Sequence, residues 1–141
     1  MPTLTWIGHS AFILEDGDNM VLIDPFVDDN PVSTHQADAL HPRTILLTHA
    51  HNDHVGDTVK IAKRTGAKVI STFELGEFLR KQGVTGATPA NHGGTVRFDG
   101  GSVKLTELAC FSCRTPPLCS GLGAGPFGSG AGTTSSAMAA S

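Results

Sequence analysis

The 141-residue sequence has no apolar run long enough to cross a bilayer, and its first residues, Met1-Pro-Thr-Leu-Thr-Trp6, lack both a basic n-region and an apolar core. Neither a membrane span nor a signal peptide is therefore expected, and the cytoplasm is the default location. Positive charge is also scarce. Ten Lys and Arg against thirteen Asp and Glu give a net charge of -3, which leaves no basic footprint for nucleic acid. Cysteine is limited to Cys110, Cys113 and Cys119, an odd set near the end of the chain that does not resemble a secreted disulfide framework. Cys110-Phe-Ser-Cys113 has C-x-x-C spacing but no second pair and no βαβ context, so it reads as incidental. With 39% hydrophobic residues, the chain is of one-domain size and can bury a modest core.

What the chain does have is histidine at high local density. Leu47-Thr-His-Ala-His-Asn-Asp-His-Val-Gly-Asp57 places His49, His51 and His54 with Asp53 in six consecutive positions, directly after the apolar run Ile45-Leu46-Leu47. Imidazole and carboxylate suit a divalent ion such as Zn, and an acid beside the ion can orient or deprotonate a metal-activated water. Residues two apart in an extended segment project to one side, so His49 and His51 can converge on one ion while Asp53 and His54 face a second. The plainer alternative is turn and capping chemistry before a helix, which also uses His, Asn and Asp. Four donor side chains where a buried strand ends favour the metal.

Around that stretch the pattern alternates between strand and helix. Residues 3–6, 11–15 and 20–23 read as a β-meander, with Asp16-Gly-Asp-Asn19 as a hairpin turn. Proline 25 ends the third strand and puts Asp24 at its carboxyl edge, where sites gather in sheet-and-helix proteins. Residues 27–43 read as a loop with one helical turn, and His35 and His41 as solvated. Residues 44–48 fit a strand covered on both faces. Residues 57–66 read as a helix ended by Gly66, 68–71 as a strand, and 73–82 as a helix whose apolar stripe is Phe73, Leu75, Phe78 and Leu79. Residues 95–98 and 103–106 make a hairpin around Asp99-Gly-Gly101.

After Glu107 the character changes: no His, Asp or Glu follows it, Arg114 is the one basic residue, and Gly, Ser, Ala, Thr, Pro and Cys dominate. The reading is a folded unit over 1–106 and a disordered or loosely packed tail over 107–141.

The run His49-Ala-His51-Asn-Asp53-His54 resembles the H-x-H-x-D-H signature of the metallo-β-lactamase superfamily. Trp6-Ile-Gly-His-Ser-Ala-Phe12, Leu22-Ile-Asp-Pro-Phe26 and Asn91-His-Gly-Gly94 resemble a group of bacterial metal-dependent hydrolases within it, near lactonases and phosphodiesterase-type enzymes. The resemblance covers residues 3 to 106. It implies an α/β fold, the first half of a four-layer αββα sandwich, with His9 and Asp24 near the metal pocket. Asp24 would orient a ligand histidine through its other ring nitrogen. The structural alternatives are that His9 hydrogen-bonds within a turn and Asp24 caps a loop. The resemblance also implies a second half that supplies a third histidine to the first ion, a bridging aspartate, and a last histidine to the second ion. Near the expected third histidine stands Ala109-Cys110-Phe111-Ser112, and phenylalanine cannot ligate. The tail is accordingly expected to be a shifted reading frame or another truncation product of a longer hydrolase gene.

Two functions follow as expectations. One is a metal-dependent hydrolase for a small-molecule ester, lactone or phosphodiester, using Zn, or Mn, with Asp53 as base or water orienter. The other is a catalytically silent fragment that binds metal weakly or serves as an interaction module, because a catalytic zinc usually takes three protein ligands. A half sandwich would also expose an apolar sheet face, through which copies could associate as a homo-oligomer.

Overall fold

Alternating apolar residues build the first three strands, β1 (Thr3–Gly8), β2 (Ala11–Asp16) and β3 (Asn19–Ile23), which pair antiparallel in sequence order. The computed structural model describes residues 1–108 and 135–140. Three more strands, β4 (Thr44–Leu46), β5 (Lys68–Thr72) and β6 (Ala87–Ala90), add in parallel, giving one six-stranded sheet in chain order. Parallel neighbours need crossovers. The short helix α1 (Asn52–Val55) and the helix α2 (Thr58–Thr65) lie between β4 and β5, and α3 (Phe73–Lys81) lies between β5 and β6.

The glycine expected to stop α2 does so: Gly66 takes the left-handed conformation, φ 72°, and its N–H bonds the Ala62 carbonyl. Ile61 and Ala62 of α2 and Leu75 and Leu79 of α3 press onto Ile13, Leu22, Ile45 and Val69 on one face of the sheet. Phe73, expected in that apolar stripe, instead opens the helix and is exposed. Each fully buried aliphatic side chain of this kind contributes about 2 kcal/mol.

The other face is covered by a second sheet, β7 (Thr95–Phe98), β8 (Gly101–Leu108) and β9 (Ser135–Ala140), in that order and antiparallel. Val103 and Leu105 of β8 close on Val21, Leu46 and Ile70. Both faces of β4 are thereby covered, and all of its residues are buried. Helices, first sheet and second sheet stack in that order, as in an αββα sandwich, and no helix covers the second sheet among the described residues. Cross-strand neighbours share a face. Leu4 and Trp6 therefore sit on the same side as their partners Leu14 and Phe12, but beyond the second sheet, and are 61% and 60% exposed. No helix among the described residues is long and apolar enough to cross a membrane.

Several elements depart from the sequence reading. Residues 87–90, to which the sequence reading assigned no element, form β6. It lies at the sheet edge, where the missing proline donor leaves no ladder position empty. Residues 107–108 and 135–140, within the segment expected to be a disordered or loosely packed tail, lie in β8 and β9. The helical turn expected in the loop is a 3-10 turn at Ala37–Ala39. His41 is exposed, but His35 is only partly so, and its Nδ1 is buried. The Cys110-x-x-Cys113 pair, Cys119 and the Ala109–Ser112 run fall outside the described residues.

Candidate metal centre

The strand register brings distant segments to one edge. Ile23 pairs with Leu46 in parallel and with Phe12 antiparallel, and Gly8 pairs with Ala11. The carboxyl ends of β3 and β4 and the turn between β1 and β2 must therefore lie together. Asp24 leaves β3 there with its N–H bonded to the Leu46 carbonyl at 3.0 Å. The His49–His54 stretch leaves β4 beside it, and His9 sits in the turn opposite.

Asp24 anchors the cluster. It is 1% exposed, and its backbone has a positive φ of 45°, a conformation that Asp tolerates better than most residues. Its Oδ1 accepts the Thr48 N–H at 2.8 Å; its Oδ2 accepts the Thr48 hydroxyl at 2.6 Å and meets His54 Nδ1 at 2.7 Å. One side chain thus caps the loop and touches a histidine of the motif. A carboxylate only accepts, so the Thr48 hydroxyl gives its single proton to Asp24 and can only accept from His49 Nδ1, 2.9 Å away. His49 Nε2 and the Nε2 of His54 are then the ring nitrogens with lone pairs to offer.

His49 Nε2 lies 2.9 Å from His51 Nδ1. Two nitrogens bound to one tetrahedral zinc are roughly 3.3 Å apart, so this pair stands close to ligand spacing. The rings of His49 and His54 are 3.9 Å apart, and those of His49 and His51 are 4.5 Å apart. Burial, then the neighbouring imidazoles His54 and His51, push the His49 imidazolium down to about 4, against the pull of Asp24 and Asp53. The ring is neutral at pH 7, as a ligand must be.

Asp53 and His54 stand on the short helix α1. Asp53 Oδ2 meets His9 Nε2 at 3.0 Å, with the two side chains 49% and 44% exposed. One donor atom each from His9, Asp53 and His54 lies within 4.8 Å of the others. The set His9, Asp24, His49, His51, Asp53 and His54 is thus gathered at one place, and its imidazole nitrogens and carboxylate oxygens suit a borderline divalent ion.

The sequence reading did not single out Thr48, whose hydroxyl contributes only through folded contacts. Nor did it give Asp57 its observed role. Expected as an acid at the start of a helix, Asp57 makes no side-chain cap; its Oδ2 accepts the N–H groups of Val27 and Asp28 at 3.0 and 2.9 Å, tying the metal-motif segment to the loop after Asp24. Gly56 permits that approach: a Cβ there would lie 2.5 Å from the Pro25 carbonyl oxygen, and φ is 41°. A glycine and an acid closing an H-x-H-x-D-H run were the available signal.

The layered sheets and the donors at the end of β4 define a metallo-β-lactamase fold, and the family model described as the metallo-beta-lactamase superfamily matches residues 4–115. The chain belongs to that superfamily. Within it, the chain is 54% identical over 103 residues to the UPF0173 metal-dependent hydrolase of Symbiobacterium thermophilum, covering 73% of this chain and 46% of that protein. It is 50% identical over 107 residues to the UPF0173 metal-dependent hydrolase of Agrobacterium fabrum, covering 74% and 46%. Among solved structures, Igni18, a metallo hydrolase from Ignicoccus hospitalis, superposes with a TM-score of 0.69 at 36% identity, over 79% of this chain and 50% of that one. The chain spans about half the length of the curated relatives it matches.

Proposed function

We propose that this chain carries the metal-gripping half of a metal-dependent hydrolase whose substrate is a small-molecule ester, lactone or phosphodiester, with Zn as the resident ion and Mn as the alternative. The observation that carries the reading is the convergence of His49 Nε2 and His51 Nδ1 at 2.9 Å, beside Asp53 and a His54 ring held at Nδ1 by Asp24. A divalent ion supplies Lewis acidity and a water of lowered pKa.

The chain's own residues then divide the work. His49 and His51 would hold one ion, and Asp53 and His54 the other. Thr48 and Asp24 fix which ring nitrogens face inward. Asp53, at the open side, orients the attacking water and accepts its proton on a carboxylate oxygen. The chain's similarity to metal-dependent hydrolases supports this chemistry, and the donor set is what such chemistry requires.

The second reading, a fragment that binds metal without turnover, is favoured by the length relation: the chain covers 46% of its relatives. Loading the purified chain with Zn or Mn and assaying p-nitrophenyl ester and bis-p-nitrophenyl phosphate hydrolysis separates the two. Turnover abolished by Asp53→Ala supports the hydrolase in this chain alone. Metal binding without turnover supports the fragment, and no binding defeats both.

A further inference from the structure

The turn that carries His9 is unusual in ways that its hydrogen bonds do not require. Gly8 has φ 111°, and a Cβ there would meet Val32 Cγ2 at 2.6 Å and Asn30 Nδ2 at 2.7 Å, so only glycine lets the turn pack so low. His9 follows with φ 50°, in the left-handed region that histidine, like Asn and Asp, visits more often than other non-glycine residues. Trp6 Nε1 donates to the His9 carbonyl at 2.9 Å and holds the turn shut from outside. The imidazole is thereby aimed inward, its ring 5.2 Å from the His54 ring and its Nε2 3.0 Å from Asp53 Oδ2.

An ion pair with Asp53 alone does not account for that arrangement. Both side chains are nearly half exposed, and exposed pairs of this kind contribute little. Donor count points the same way. One ring nitrogen of His9, one of His54 and one Asp53 carboxylate oxygen lie within 4.8 Å of one another, three protein donors, the number a catalytic zinc site usually takes.

We propose that His9 is itself a cation ligand and that, with Asp53 and His54, it forms a three-donor divalent-metal site carried wholly by this chain. The proposal rests on the metal-binding reading above. It differs in assigning the second ion a ligand from the first turn of the chain.

The test is a zinc titration of the metal-stripped chain by calorimetry, with His9→Ala and His9→Asn alongside, and histidine ring 15N spectra of the unaltered chain with and without zinc. Asparagine suits a positive φ and can still donate to Asp53, but it is a poor zinc ligand. The expected result is that both variants weaken the site by at least about tenfold and that the His9 ring nitrogens shift on loading. Wild-type affinity in His9→Asn, or His9 resonances that do not move while those of His54 do, overturns the assignment and leaves His9 as a hydrogen-bond partner. An unaltered chain that takes up no zinc overturns the underlying metal reading as well. The spectra use the unaltered chain, so a misfolded variant leaves the test intact.

Discussion

The inner wall of the histidine cluster is built from strand ends, whereas its outer wall is built from a turn and one short helix. On the inner wall Asp24 is 1% exposed and three hydrogen-bond contacts meet on its carboxylate, so the rings of His49 and His54 are oriented before any ion arrives. On the outer wall His9 and Asp53 are 44% and 49% exposed and hold chiefly each other. The difference separates two jobs. On the proposed reading, buried hydrogen bonds pre-organise the inner-wall ligands, while the half-exposed pair stays accessible to an arriving ion.

Breaking the inner wall should have the largest effect. Asp24→Ala strands the Thr48 N–H and hydroxyl and one His54 nitrogen in a buried site. It is expected to lower unfolding free energy by about 3–5 kcal/mol in urea denaturation. Thr48→Val keeps shape but removes the hydroxyl between Asp24 and His49. Zinc affinity should fall about 10–100-fold by calorimetry, and Thr48→Ser should restore it.

Acid probes the same wall more gently. The His49 imidazolium is pushed from 6.5 down to about 4 in the folded metal-free chain, so between those values the unfolded chain binds more protons. Stability is retained above pH 6.5 and should decline as pH falls towards 4, measured as thermal midpoint against pH. A His49→Gln variant should flatten that decline. The smallest effect on stability belongs to the outer wall: Asp53→Ala should shift unfolding free energy by no more than about 0.5 kcal/mol while weakening zinc binding. A large stability loss there would erase the distinction between the walls.

Much of this was legible in the chain because it is local. The strands of the meander, both longer helices and the His49–His54 run each announce themselves through period, glycine stops or residue type within a dozen positions. What was not legible depends on register. Thr48 gains its role from Asp24, far back in the sequence, and His9 reaches Asp53 only because β1, β2, β3 and β4 align their ends. Asp57 reads as a helix cap from its neighbours and becomes a tie to Val27 and Asp28 only once the loop after β3 folds back. β6 contains Pro89, whose compatibility with a strand depends on its edge position.

The most direct test is calorimetric titration of the metal-stripped chain with zinc, beside a His49→Ala/His51→Ala variant. The account predicts saturable binding by the unaltered chain and loss of at least one equivalent in the variant, with an unchanged far-ultraviolet circular dichroism spectrum. Binding that is absent from the unaltered chain, or identical in the variant, would contradict it.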